Sequence, residues 1–167
     1  MKTIHLIRHA KSSWDFPHLA DHERPLNQRG EKDAIIMSNA LYESGFKWPK
    51  IYCSTAQRAR LTIQALEDNW PNVQSKPKDV QIMDDLYTFN SSDIWQFVSE
   101  LSEGLDSVLL VGHNPAFTDF INEASEACLN NLPTCGFVTL HSKATNWQQN
   151  QRGEFQLNTL LKPKMFK

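Results

Sequence analysis

The chain has 167 residues, 40% of them hydrophobic, which favours one compact domain over residues 1–167 with a sizeable core. Its 17 lysines and arginines nearly balance 19 acidic residues, and the net charge of −2 argues against a partner that is nucleic acid or an anionic membrane. No apolar run approaches the ~18 residues of a membrane helix, and three cysteines without Cys-x-x-Cys spacing favour reduced thiols over a disulfide framework or a zinc site.

The first predicted strand, residues 3–8, ends at Arg8 and is followed directly by His9. Strands buried on both faces read as continuous apolar runs, and ligands of α/β sheets bind beyond their carboxyl ends. Arg8 offers a planar fork of donors that fits phosphate oxygens, whereas His9 suits a covalent nucleophile or a proton carrier. This junction predicts phosphoryl chemistry; the alternative is a chance Arg-His pair at a half-exposed strand end.

The chain then alternates between helices and strands. Residues 12–24 show no clear period and predict a surface loop. Asn27 is a good N-cap for a first helix, which Gly45 ends. The short apolar strand 51–54 leads into a second helix, which carries Arg58 in its first turn.

The alternation continues after a loop that contains two prolines. A short strand over 80–83 precedes a third helix, which Ser91 or Ser92 can cap. The most apolar strand, 107–112, runs straight into His113, and an Asn-Pro pair directly after it suits the cap and first turn of a fourth helix.

The last forty residues change in character. Residues 136–141 and 154–161 predict two strands joined by a polar turn, and such closely connected strands pair antiparallel. The predicted fold class is therefore α/β, a three-layer sandwich with a mostly parallel central sheet and antiparallel edge strands.

Three predicted strand ends carry side chains suited to phosphate. Arg8 and His9 follow the first strand, Arg58 the second, and His113 the strand 107–112. Because the carboxyl ends of parallel strands share one edge of a sheet, we expect these four side chains to converge. The helix N-termini behind Arg58 and His113 add backbone donors and a favourable dipole for an anion.

Several motifs, in order along most of the chain, resemble those of the histidine phosphatase superfamily, and within it the small bacterial phosphohistidine phosphatases of the SixA type. They are LIRHAKSSWD at 6–15, RPLNQRG at 24–30, STAQRAR at 54–60, VGHNP at 111–115 and LPT at 132–134. The resemblance implies a phosphoglycerate mutase-like fold and a phosphatase that needs no metal or cofactor. It also implies that His9 is the nucleophile, that Arg8 and Arg58 neutralise the phosphoryl oxygens, and that His113 completes the phosphate pocket as a donor.

The chain departs from the superfamily pattern at two points. Ala10 replaces the common Gly of the Arg-His-Gly motif and adds a methyl group beside the expected pocket. Larger relatives use a carboxylate to protonate the leaving group, and no segment here marks one clearly. Asp84 and Asp85 are the candidate general acids, with Asp15 as a weaker candidate, and surface-loop aspartates are an equal alternative.

The function expected from these observations is a phosphatase that acts on phosphohistidine in a signalling protein in the cytoplasm. A phosphoramidate leaving group can take its proton from solvent, so this substrate needs a general acid less than an alkyl phosphate does. Arg24 and Lys11 either extend the positive rim of the site or are ordinary surface charges. The alternatives are a small-molecule phosphomonoesterase and a non-catalytic phosphate-binding module, although a module of that kind is expected to have lost His9 or an arginine.

Overall fold

Six strands form one mixed sheet in the computed structural model, which describes residues 1–167. In chain order they are β1 (Lys2–Arg8), β2 (Lys50–Ser54), β3 (Val80–Met83), β4 (Ser107–Gly112), β5 (Phe137–Ser142) and β6 (Phe155–Leu161). They lie in the order β3-β2-β4-β1-β5-β6, and the pairings are parallel from β3 to β1 and antiparallel from β1 to β6. The predicted α/β class with a mostly parallel sheet is confirmed, with β6 at the edge and β5 inside it.

Four helices cover the two faces of the sheet. They are α1 (Gln28–Glu43), α2 (Gln57–Asp68), α3 (Ser91–Ser99) and α4 (Ala116–Ala124). One core cluster joins the sheet to α1 and α2, and the other joins its opposite face to α3 and α4. The four central residues of β4 are fully buried, as expected of a strand that helices cover on both faces. None of the helices is long and apolar enough to span a bilayer.

Short 3₁₀ turns add to this frame at Asp21–Glu23, Val73–Ser75, Asp84–Leu86 and Pro163–Phe166. The first of them lies inside the segment 12–24, so this loop is more ordered than its sequence indicates. It also contacts α2, which brings residue 21 next to the second strand-helix junction. One of the three cysteines, Cys128, is exposed, whereas Cys53 and Cys135 are buried.

The helix starts follow the predictions in part. The Asn27 side chain accepts a hydrogen bond from the Gly30 N–H at 2.8 Å, as predicted for α1. The predicted cap of α3 is wrong, because Ser91 already belongs to the helix and the cap residue, Asn90, makes no side-chain bond to it. At α4 the helix starts one residue later than predicted, yet the Asn114 side chain still accepts a hydrogen bond from the backbone N–H of Thr118, at 3.1 Å.

Candidate active site

His9 lies directly beyond the end of β1, where its backbone N–H donates to the Gly112 carbonyl at 3.0 Å. Its side chain is buried, and Nδ1 lies 2.7 Å from the Ala10 carbonyl oxygen. Because a carbonyl can only accept, Nδ1 must carry the proton, and Nε2 keeps its lone pair. The methyl group of Ala10 is fully buried within the core cluster under α1 and α2, so the core accommodates this departure from the superfamily motif.

The surroundings of His9 favour its neutral form. The pKa of His9 is lowered to about 3, chiefly by burial and also by the cationic side chains of Arg58, Arg8 and Arg24, whereas the hydrogen bond to Ala10 acts in the opposite direction. A neutral imidazole with a free Nε2 is the form that acts as a nucleophile.

Arg8 presents unused donors beside His9. Its Nη1 donates to the Leu132 carbonyl at 2.9 Å, and its buried Nε has no partner. Burial, together with the charge of Arg58, lowers the pKa of Arg8. Arg8 is half-buried, but its Nε is buried and unpaired, and an anion would satisfy this donor, because leaving a buried polar group unpaired costs free energy.

Arg58 comes from the first turn of α2 and is almost entirely buried. Both of its terminal nitrogens contact Asp21, with Nη1 donating to the backbone oxygen at 2.7 Å and Nη2 to Oδ2 at 3.0 Å. The Tyr87 hydroxyl donates to the same Oδ2 at 2.6 Å. Although burial raises the pKa of Asp21, the hydrogen bonds from Tyr87 and Arg58 hold it below its usual value, so this carboxylate is ionised.

His113 follows β4 and is 1% exposed. Its Nε2 lies 2.8 Å from the Ser54 hydroxyl oxygen, which also accepts from the Ala56 N–H at 3.2 Å. When the serine hydroxyl donates its proton to Nε2, the proton of neutral His113 stands on Nδ1. That buried Nδ1 has no partner, so it is available as a donor.

The two histidine rings lie close together, with centroids 5.2 Å apart. The pKa of His113 is lowered to about 3, chiefly by burial and next by the proximity of His9. The rings of Tyr87 and Phe89 pack against His113 at centroid distances of 5.5 and 5.6 Å and close its far side. The structure thus brings the two histidine rings together, and the charges of Arg8 and Arg58 are near enough to lower the pKa of both.

Arg24 also belongs to this region, through its ion pair with Asp21. The Arg24 guanidinium pairs with Asp21 at 3.3 Å, hydrogen-bonds to the Ser12 hydroxyl and lies over the Trp14 ring at 3.4 Å. Lys11 is half-buried and forms no ion pair. The direct partner of Arg24 is thus Asp21, and the charge of Arg24 also contributes to the low pKa of His9.

The structure does not bring the aspartates expected as general acids to the four residues. Asp84 and Asp85 are exposed and line a surface pocket that also contains Asp93 and Glu100. Their side chains make no hydrogen bond or ion pair with Arg8, His9, Arg58 or His113. Asp15 is exposed as well.

The sequence analysis missed three residues that contact this site. Asp21 holds Arg58, Tyr87 holds the carboxylate of Asp21, and Ser54 bonds to Nε2 of His113. Ser54 is the last residue of the predicted strand 51–54 and the first of the STAQRAR motif, so the sequence already indicated that it lies at the carboxyl end of a strand. No comparable signal marks Asp21, which lies in a segment without periodicity, or Tyr87, which follows a short exposed strand.

Comparison with protein families identifies the class of protein. The model of the histidine phosphatase superfamily (branch 1) matches residues 4–90, more than half of the chain, and the chain belongs to this superfamily. It is therefore a phosphatase-type hydrolase. A Mycobacterium leprae protein is 29% identical over an alignment of 154 residues, and the match covers 85% of this chain and 90% of that protein. A chloroplastic Arabidopsis thaliana protein is 27% identical over 151 residues, 86% of this chain and 68% of its own.

Solved structures show a SixA-like fold. The protein histidine phosphatase SixA complexed with tungstate superposes with a TM-score of 0.79 at 18% identity, over 99% of each chain. A structure from Agrobacterium tumefaciens that carries the SixA assignment has a TM-score of 0.76 at 25% identity, over 96% of this chain and 97% of its own. A mycobacterial glucosyl-3-phosphoglycerate phosphatase also matches, with a TM-score of 0.67 at 13% identity, over 95% of this chain and 98% of its own. The fold is thus shared with phosphatases of different substrates.

Proposed function

We propose that the protein removes the phosphoryl group from phosphohistidine on another protein, through a covalent phosphohistidine intermediate on His9. The observation that carries this proposal is the 2.7 Å contact between His9 Nδ1 and the Ala10 carbonyl, which leaves the lone pair on Nε2 of a histidine whose pKa nearby arginines lower. The likeness to SixA structures supports the choice of substrate. The whole chain, residues 1–167, acts as one phosphatase domain in the cytoplasm.

In the first step, His9 Nε2 attacks phosphorus in line with the leaving nitrogen. The Nε2–P bond forms, the P–N bond of the substrate breaks, and the released substrate imidazole takes a proton from solvent. Arg8 and Arg58 neutralise the phosphoryl oxygens, and the Nδ1–H of His113 donates to one of them. Donors that are already in place stabilise the transition state without reorganisation.

In the second step, water attacks phosphorus on phosphorylated His9. The new P–O bond replaces the Nε2–P bond, inorganic phosphate leaves, and neutral His9 is restored with its proton still on Nδ1. The cationic side chains and histidine donors supply the charge stabilisation in both steps, so neither step requires a metal ion or a cofactor.

The positions of Asp84 and Asp85 favour phosphohistidine over alkyl phosphate esters. An alkoxide is a poor leaving group and needs a positioned acid, whereas an imidazole nitrogen can be protonated by solvent. A small-molecule phosphomonoesterase is the second candidate function, because the glucosyl-3-phosphoglycerate phosphatase shares the fold. A non-catalytic phosphate-binding module ranks third. Such a module is expected to lack His9 or an arginine of the site, and this chain has both histidines and both arginines.

A substrate panel tests the proposal. Purified protein is assayed against a histidine phosphotransfer domain phosphorylated with phosphoramidate, against para-nitrophenyl phosphate and against a set of sugar phosphates. We expect kcat/KM to be highest for the phosphohistidine domain. A higher kcat/KM for any sugar phosphate would favour the second candidate function, and no turnover of any substrate would favour the third.

A further inference from the structure

A group of cationic side chains lies on the surface between the first turns of α1 and the end of the chain. We call it the basic groove; it lines two adjoining depressions that share Arg29, Asp33 and Lys167. Its cationic members are Arg29, Lys32, Lys162, Lys164 and Lys167. Such a concentration of positive charge is unexpected in a chain whose net charge is −2.

The sheet topology brings this groove to the catalytic edge. β5 runs antiparallel to β1, and β6 runs antiparallel to β5, so β6 ends at the same edge of the sheet as β1. The register pairs Ile7 with Phe137 and Phe137 with Leu161. Lys162 therefore leaves the sheet at the level where Arg8 and His9 leave it, two strands away.

Both walls of the groove are joined to the catalytic segment. One wall is the loop 131–134, whose Leu132 carbonyl accepts the hydrogen bond from Arg8 Nη1 at 2.9 Å. The other wall is the start of α1, where a side chain on Gly30 would collide with the Lys11 carbonyl oxygen. The Asn27 N–H donates to the same Lys11 oxygen at 3.0 Å. Both walls of the groove are thus in contact with the segment that carries Arg8 and His9.

The positive charge of the groove faces solvent with little compensation. Asp33 is the only acidic side chain that lines it, and its carboxylate is 2% exposed. That carboxylate pairs with Lys167 at 2.9 Å and with Arg29 at 3.7 Å. Lys32, Lys162 and Lys164 form no ion pair within the chain. Three ammonium groups are therefore free to meet carboxylates of a partner.

We propose that the basic groove docks an acidic patch on the protein that carries the phosphohistidine. This inference rests on the proposed function and names a surface by which the site recognises its substrate. Opposite charges on facing surfaces steer encounter and fix orientation more than they add affinity. A protein surface fits better than a nucleic acid, because the positive charge is local and the chain as a whole is acidic.

Charge reversal with a matched control tests the docking surface. The groove variant combines Lys32→Glu, Lys162→Glu and Lys164→Glu. The control variant combines Lys47→Glu, Lys78→Glu and Lys143→Glu, three exposed lysines without ion pairs in connections at the opposite edge of the sheet. Both variants change net charge equally, and thermal melts check that both fold. The substrates are free phosphohistidine and an acidic histidine phosphotransfer domain phosphorylated with phosphoramidate.

The groove variant should raise KM for the phosphorylated domain by about tenfold, with kcat unchanged, while the control variant stays within about twofold of wild type. KM for free phosphohistidine should not change in either variant, and added salt should raise KM for the domain in wild type more than in the groove variant. Equal effects of the two variants, an unchanged KM for the domain, or a raised KM for free phosphohistidine would overturn the docking assignment.

A binding measurement separates this inference from the proposed function. If wild type hydrolyses neither substrate, the proposed function fails, and fluorescence anisotropy of the labelled, unphosphorylated domain decides the docking question alone. The inference expects weaker binding to the groove variant than to wild type and to the control. Equal binding to all three, or displacement of the domain by a lower concentration of an RNA oligonucleotide than of unlabelled domain, would overturn it.

Discussion

Asp21 holds the guanidinium of Arg58 at two points, accepting from Nη1 through its backbone oxygen at 2.7 Å and from Nη2 through Oδ2 at 3.0 Å. Each of these nitrogens carries a second hydrogen, so Arg58 keeps donors for a phosphoryl group while its orientation is fixed. Tyr87 holds the same carboxylate from another direction. Asp21 is thus a positioning residue for one of the two arginines of the site.

Asp21→Ala should lower kcat by about tenfold, because a misplaced donor loses stabilisation of the transition state. Steady-state kinetics with the phosphohistidine domain measure this effect. Glu23→Ala, in the same 3₁₀ turn and exposed, is the matched control and should leave kcat unchanged. An Asp21→Ala enzyme with the kcat of wild type would show that Arg58 is oriented without it.

Stability should fall on acidification because of buried histidines. Burial lowers the pKa of His9 and of His113 to about 3 and that of His5 to about 4, whereas unfolded histidines titrate near 6.5. Below pH 6.5 the unfolded chain therefore binds more protons than the folded chain, and the stability present above this pH is lost progressively down to about pH 3. Each histidine contributes a slope of up to about 1.4 kcal/mol per pH unit.

Urea unfolding between pH 8 and pH 4.5 measures this loss. His9→Gln should make the decline shallower by roughly one proton, because glutamine does not titrate. A free energy of unfolding that stays constant from pH 7 to pH 5 would contradict the low histidine pKa values.

Turnover should survive a strong chelator. The charged and titratable side chains near His9 are those of Arg8, Arg24, Arg58 and His113, and the chain has no cluster of three or more His, Cys, Asp or Glu side chains able to hold a metal ion. Activity is measured after extended dialysis against EDTA and again after addition of Mg²⁺, Mn²⁺ or Zn²⁺. Loss of activity on dialysis with recovery on adding one of these ions would show metal-dependent chemistry.

Asp84→Asn and Asp85→Asn should leave kcat for the phosphohistidine domain within about twofold of wild type. Both carboxylates are exposed in a pocket that none of the four site residues lines, and a phosphoramidate does not need a positioned acid. The double variant is assayed against the phosphohistidine domain and against an alkyl phosphate. A loss of a hundredfold or more on the phosphohistidine domain would restore one of these residues as the general acid.

Most of the fold could be predicted from the sequence, because the buried strands are continuous apolar runs. β4 is fully buried in its centre and was the clearest strand, whereas α4 starts one residue later than predicted, and helix termini are the least certain part of such predictions. The convergence expected for Arg8, His9, Arg58 and His113 follows from one rule, that carboxyl ends of parallel strands share an edge.

The sequence could not reveal the contacts that orient these side chains. Asp21 reaches Arg58 across 37 positions, and Tyr87 reaches Asp21 across 66. Both lie in segments whose course depends on tertiary packing rather than on local periodicity. The basic groove could not be predicted from the sequence either. Its lysines and arginine come from two distant segments, which meet only because β6 runs back antiparallel to β5.

The roles of the two histidines are tested most directly by rapid-quench labelling with a phosphorus-labelled phosphohistidine domain, followed by peptide mapping at alkaline pH. His9→Ala should abolish both turnover and acid-labile label, because the nucleophile is gone. His113→Ala should slow turnover by about 10²–10³-fold yet still form labelled enzyme, because only one donor is lost. Label on His9 is the predicted result; label on His113, or undiminished label in His9→Ala, would contradict it.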